Sequence, residues 1–362
     1  MINGKKLSEN LVLDLGPSNN NPRNSEGSFL RAPDGAILFA YSRYTGDNWT
    51  DHCNCDIALV RSYDEGETWS APEIIAKAED FGVKNVMSVS GINNLDGSLS
   101  FYFIVKENNF TTTIARAVSE DGVNFKAERC KLNGFKAYYV FNNDRIERLS
   151  NGNLVFPAAM VAVSQEGEKW EGDRNFTSLV FESTDDGKSF TLLKPRINLS
   201  FAQNVHTGMQ EPGVYEHKNG VVRLWARTDV GFQYECFSIN NLKSFTPAEP
   251  SQFTSPCSPM EWAKAPDGTV YAVYNPIPNY NNRKIKNSWG RTPLVIRKSL
   301  DDGMTFGEMN IIEDDEDRGY CYPSMFFTKD ESILISYCRG GHEDNACLVR
   351  VGINKIKLSE IE

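Results

Sequence analysis

One short phrase recurs down the chain: SYDEGETW at Ser62 to Trp69, STDDGKSF at Ser183 to Phe190 and SLDDGMTF at Ser299 to Phe306. Each fits S-x-D-x-G-x-T/S-aromatic. The Ser and Asp suit hydrogen bonds to the turn's own backbone, the Gly suits a positive φ, and the aromatic suits folding back under the turn. The phrase therefore predicts a strand-turn-strand corner, not a catalytic centre. Two looser copies, VSEDGVNF at Val118 and SINNLKSF at Ser238, place the starts at 62, 118, 183, 238 and 299. The spacing makes a unit of about sixty residues, room for four short strands, and about six units in the chain. A six-bladed β-propeller of four-stranded antiparallel blades is the simplest closed solution, because radial closure removes most exposed sheet edges.

Between these phrases run β-branched or apolar stretches such as Gly35 to Tyr41, Ser98 to Val105, Val221 to Ala226 and Ile333 to Tyr337. Six hairpin signals stand among them, one per blade: PDG at Pro33, LDG at Leu95, SNG at Ser150, KNG at Lys218, PDG at Pro266 and KDE at Lys329. No linker or shift in composition interrupts the repeat, so residues 1–362 read as one all-β domain. Lys6 to Leu15 and Cys347 to Ile356 are expected to share a blade and close the ring.

A formal charge of −10 with no lysine or arginine run argues against nucleic acid as a partner. An anionic ligand would need arginines gathered in one pocket. Neither a membrane span nor a signal peptide is legible. The expectation is a cytoplasmic chain, or a periplasmic or secreted one if a signal has been removed. The eight scattered cysteines read as free thiols. Cys53 and Cys55 beside His52 lack a second ligand pair at zinc-binding spacing, so no metal is expected there.

Propeller chemistry sits at the inner ends of blades around the axis. Polar stretches fall there: NPRNSEGS at Asn21, YSRYTGDNWTDHCNCD at Tyr41, the hairpin from Met209 to Arg227, and Arg291 followed by GYCYPSMFF at Gly319. With the repeated phrase, known as the Asp box, these make the chain resemble the sialidase superfamily over nearly its whole length. That family implies three arginines gripping a substrate carboxylate, a Tyr nucleophile paired with a Glu, and an Asp acid/base on a loop before the first box.

Carried onto this sequence, the resemblance implies Glu211 and Arg227, sixteen residues apart on one hairpin, as the Glu and the second arginine. Arg291 and Arg23 resemble the third and first arginines. Tyr322, eight residues before the Asp330 turn, is preferred to Tyr320 as nucleophile. Asp51 is preferred to Asp47 as acid/base, with Asp56 a strand-start residue. The family usually follows its first arginine with Ile-Pro. Here Asn24-Ser25-Glu26 follows Arg23, so Glu26 is a candidate to pair with Arg23 or to meet a sugar hydroxyl. Arg43, Asn143 and Asp144 are further candidate binding residues. Asn85, Ser88, Asn142 and Arg145 suit sugar hydroxyls and structural turns equally.

The resemblance implies retaining glycoside hydrolysis of a terminal acidic sugar, an α-linked sialic acid first, by a mechanism that requires no metal or organic cofactor. A carboxylate at the reacting carbon repels a carboxylate nucleophile, whereas a phenol deprotonated by Glu211 approaches without that cost. The alternatives are another keto-acid or uronic acid glycoside as substrate, or a carbohydrate-binding propeller without catalysis.

Overall fold

The computed structural model describes residues 3–161, 175–199, 205–278, 288–344 and 346–362. Six antiparallel sheets follow one another round a ring, as the repeat predicts. Blade one is built from Arg23–Arg31, Ile37–Tyr44, Cys55–Ser62 and Glu73–Ala76, and blade two from Val86–Asn93, Leu99–Asn108, Thr111–Ser119 and Lys126–Arg129. In blade three a split inner strand, Tyr138–Val140 and Glu147–Arg148, pairs with Leu154–Val161, which is followed by Thr177–Ser183 and Ser189–Leu192. Blade four runs Gln210–Glu216, Val222–Arg227, Phe232–Ser238 and Glu249–Thr254. Blade five runs Glu261–Lys264, Val270–Tyr274, Leu294–Ser299 and Asn310–Glu313.

Blade six takes three strands from the end of the chain, Cys321–Phe327, Ser332–Cys338 and Val351–Lys357, and its outermost from the beginning, Leu11–Leu15. The expected shared blade therefore exists over Leu11–Leu15, but Lys5–Lys6 leaves it to pair in parallel with Asn310 and Ile311 of blade five. This closure explains why five boxes serve six blades: the box joins third strand to fourth, and in blade six that connection is absent. No helix among the described residues is long and apolar enough to cross a membrane.

Each blade is apolar on both faces, since strand side chains alternate and both faces meet a neighbour. Phe101 and Phe103 pack with Leu38 and Leu59 of blade one, while Tyr102 and Ile104 pack with Phe156 and Phe181 of blade three. The boxes fasten these interfaces. In the first, the Ser62 hydroxyl accepts from Gly66 N–H at 2.8 Å and Asp64 takes both the backbone N–H and the hydroxyl of Thr68. The acidic residue between Asp and Gly, at positive φ in all three strong copies, reaches the hairpin of the preceding blade. Glu65 accepts from Lys329 N–H, Asp186 from Leu95 N–H and Asp302 from Lys218 N–H at 2.7–2.9 Å. A Cβ on Gly187 would fall 1.7 Å from the Tyr102 hydroxyl, so that glycine is needed for the close approach as well as for its φ of 81°.

Candidate functional site

Five inner strands carry a kink where one non-glycine residue takes a positive φ: Glu26 (54°), Ser88 (60°), Asp144 (56°), Glu211 (48°) and Tyr322 (55°). In blades one, two, four and six this residue is an extra one in the ladder, with register breaks at Ser25/Ser28, Met87/Ser90, Gln210/Gly213 and Cys321/Ser324. Such bulges re-aim a side chain at a functional site. Glu26, Ser88, Glu211 and Tyr322 each stand nine residues before the positive-φ turn residue of their own hairpin, Gly35, Gly97, Gly220 and Glu331. That common spacing brings all four into the wall of one cavity of about 810 Å³.

In this cavity the Tyr322 hydroxyl donates to Glu211 Oε1 at 2.9 Å, and Arg227 Nη1 donates to Glu211 Oε2 at 2.7 Å. Arg227 Nη1 also stands 3.4 Å from the Tyr322 oxygen. Burial, then the Glu211 charge, hold the Tyr322 phenol well above its ordinary pKa, against the pull of Arg227 and Arg291. The resting phenol is protonated, with a carboxylate placed to take its proton. Arg291 lies 5.6 Å over the Tyr322 ring and is anchored by Cys321 Sγ and the Cys257 carbonyl, each at 3.2 Å. Among the described residues no carboxylate pairs with Arg291, and its buried Nε has no partner.

Arg23 stands behind the wall, 1% exposed and stacked on Tyr44. It donates to Asp51 Oδ1 at 2.6 Å, the Trp49 carbonyl at 3.1 Å, Ser25 Oγ at 2.9 Å and Glu26 Oε2 at 3.2 Å. The loop that carries Asp51 is held through its backbone: the Asp51 carbonyl accepts from Asn85 Nδ2 and Lys106 Nζ. Desolvation alone would raise the Asp51 carboxyl, but Arg23 and Lys106 outweigh it and hold it at about 2. Glu26 goes the other way. Its burial outweighs Arg23 and pushes it up to about 7.

Of the other candidates, Ser88 and Asn142 line the cavity, whereas Arg43, Asn143 and Asp144 do not. Arg43 follows Ser42 and precedes Tyr44, so strand alternation turns it to the other face. Asn143 crosses the axis to the carbonyls of Gly27 and Tyr322 at 3.0 and 3.3 Å, and Asp144 accepts from Ser28 Oγ and Met325 N–H. Arg145 forms a buried ion pair with Glu261. These three stitch blade three to blades one, six and five. Tyr320 is fully buried against Tyr337, away from the cavity. Asp56 lies within its strand and caps Ala78 N–H at 2.8 Å. Among the described residues no group of three or more His, Cys, Asp or Glu is placed to hold a metal.

Sequence reasoning missed Lys106 and His52, which line one wall, and the pair Trp49 and Trp289, whose rings lie 6.5 Å apart. Met87, Ile104, Tyr138 and Phe176 make part of the remaining wall apolar. The nine-residue spacing to the turn was the signal that would have grouped Glu26 and Ser88 with Glu211 and Tyr322.

A ring of six such blades, with a phenol, carboxylates and arginines converging near its axis, is a six-bladed β-propeller with a polar cavity. The chain belongs to the BNR repeat-like domain family, whose model matches residues 49–335. No curated protein matches the sequence. Among solved structures it is similar to a protein of unknown function from Dyadobacter fermentans, with 17% identity and a TM-score of 0.72 over 98% of this chain and all of that one. It is similar to the Hadza microbial sialidase Hz136, with 15% identity and a TM-score of 0.74 over 97% of this chain and 69% of that one. It is similar too to the intramolecular trans-sialidase from Ruminococcus gnavus, with 11% identity and a TM-score of 0.70 over 97% and 98%. At these identities the likeness is one of fold.

Proposed function

We propose that this protein is a retaining exo-glycoside hydrolase that removes a terminal acidic sugar, with an α-linked sialic acid as the first candidate substrate. The observation that carries the reading is the Tyr322–Glu211 hydrogen bond of 2.9 Å inside a cavity also lined by Arg227 and Arg291. A binding propeller has no use for a phenol coupled to a base. Glu211 takes the phenolic proton as Tyr322 attacks the anomeric carbon, giving a covalent glycosyl intermediate that water resolves. The substrate carboxylate meets Arg291, which has no carboxylate partner among the described residues, together with Arg227. Arg23 contributes its charge from behind Asp51 and Glu26, and proton transfer to the leaving oxygen falls to these two carboxyls. The names of the structural neighbours, among them sialidases and intramolecular trans-sialidases, support the same class.

A panel of fluorogenic glycosides tests the reading. Release is expected from an α-linked acidic sugar and not from neutral hexosides, because only an anion supplies the carboxylate that Arg291 lacks among the described residues. A uronic acid or another keto-acid sugar cleaved in preference to sialic acid would move the substrate within the class. Efficient hydrolysis of a neutral hexoside would overturn it.

A further inference from the structure

We propose that Glu26, not Asp51, delivers the proton to the leaving oxygen. The inference rests on the hydrolase reading above and assigns the acid within it. Glu26 occupies in blade one the same bulge position that Glu211 and Tyr322 occupy in blades four and six, nine residues before the hairpin turn and at nearly the same φ. All three line the one cavity. The sequence after Arg23 departs from the family pattern at just this place.

Arg23 decides between the two carboxyls. One guanidinium faces two of them, and it commits its shorter contact, 2.6 Å, to Asp51 and a longer one, 3.2 Å, to Glu26. The Asp51 side chain is 55% exposed and that of Glu26 only 5%. Arg23, through its shorter contact, and Lys106 stabilise the charge on Asp51, while the proton stays on the more deeply buried Glu26. No hydrogen bond from the described residues reaches Glu26 Oε1. The groups whose charges act on Glu26 or feel it come from every side: Arg23, Tyr44 and Cys55 within blade one, Asp51 from its loop, Lys106 from blade two, Glu211 from blade four, and Tyr322 and Cys338 from blade six. Lys106 opposes protonation, but its amine is bound to the Asp51 carbonyl. Values of about 7 for Glu26 and about 2 for Asp51 follow this geometry. Two acids driven apart in this way divide the roles of donor and fixed charge.

The step balances. Tyr322 Oη passes its proton to Glu211 and bonds to the anomeric carbon. The glycosidic C–O bond breaks with its electron pair on the leaving oxygen, which takes the Glu26 proton. Water then gives a proton to the Glu26 carboxylate as its oxygen attacks the anomeric carbon. The C–O bond to Tyr322 breaks, and the phenolate recovers its proton from Glu211. Asp51 stays ionised throughout and positions Arg23.

The test compares 4-methylumbelliferyl and methyl α-ketosides of N-acetylneuraminic acid, the first leaving without help and the second only with a proton. Glu26→Gln is expected to lower kcat/KM on the methyl ketoside by about 10²–10⁴-fold and on the aryl ketoside by less than about tenfold. Asp51→Asn is expected to raise KM on both alike. In the wild type, activity on the methyl ketoside should fall as pH rises through about 7, a limb absent on the aryl ketoside. Leaving-group-selective loss in Asp51→Asn, equal loss on both substrates in Glu26→Gln, or a wild-type methyl ketoside profile without that limb would each overturn the assignment. The last needs no variant to fold. A wild type that cleaves neither ketoside but another acidic glycoside of the panel carries the same comparison to the aryl and methyl glycosides of that sugar; one that cleaves no acidic glycoside overturns the hydrolase reading, and the assignment with it.

Discussion

Tyr322 and Glu211 lie 111 residues apart in sequence and meet at 2.9 Å, each delivered by a residue whose φ an ordinary side chain avoids. Positive φ costs such residues on the order of 1 kcal/mol or more, which the surrounding ladder must hold. Tyr322→Phe is expected to abolish turnover while leaving ligand affinity within a few-fold, because the phenol oxygen bonds to the sugar but adds little to ground-state binding. Tyr320→Phe supplies the contrast. Its hydroxyl is buried without a partner among the described residues, so the variant should keep full activity and melt no lower. Steady-state kinetics and a thermal melt on both decide it. Normal turnover in Tyr322→Phe rejects the nucleophile.

Arg291 and Arg227 should separate in kinetics. Arg291 pairs with no carboxylate among the described residues, so Arg291→Ala removes a charge-assisted contact worth about 1.5–3 kcal/mol and should raise KM at least about tenfold with kcat less affected. Arg227 also holds Glu211 Oε2 at 2.7 Å. Arg227→Ala should therefore lower kcat as well as raise KM. Identical effects of the two on kcat would count against the division.

The same logic left part of the site hidden in the sequence. Tyr322 and the Glu211–Arg227 hairpin were legible because each is counted from a turn that announces itself in residue types. Arg23 was placed correctly at an inner strand, but its tie to Asp51 depends on how the loop before Asp56 folds back, which no periodicity encodes. Asn143, Asp144 and Arg145 read alike whether they meet a ligand or the backbone of another blade. Only the ring's closure puts Gly27, Tyr322 and Glu261 opposite them. Lys106 follows the apolar run Phe101–Val105 within its strand, and its arrival in the cavity depends on how far the ladder to Thr112 extends.

Glu26 makes a stability prediction that needs no substrate. Its folded pKa of about 7 lies above the ordinary glutamate value of 4.5, so between these values the folded chain holds a proton that the unfolded chain has lost. Stability from this group is therefore present below about pH 4.5 and falls as pH rises towards about 7. Glu26→Gln should melt like the wild type at about pH 4.5 and above it at about pH 8, by on the order of 2 kcal/mol. A lower melting temperature for the variant at the higher pH would contradict the burial argument.

The box acids should behave as structure alone. Asp302 accepts from the Tyr215 hydroxyl at 2.6 Å and from Lys218 N–H at 2.7 Å, joining blade five to blade four. Asp302→Ala is expected to cost about 1–3 kcal/mol and lower the melting temperature by a few degrees, with kcat/KM unchanged below the melt. A variant that melts normally and has lost turnover would put the chemistry at the boxes.

Among the described residues the strand Leu11–Leu15 finds its ladder on Val351–Lys357 alone. During synthesis it leaves the ribosome long before its partner exists, so five blades can assemble while this strand waits and the edge it will cover is not yet made. Ring closure is thus the most non-local event in folding, and topologies of this kind fold slowly. Until then the unpaired strand is open to pairing with a second nascent chain, and losses in yield should concentrate in variants that weaken this one seam.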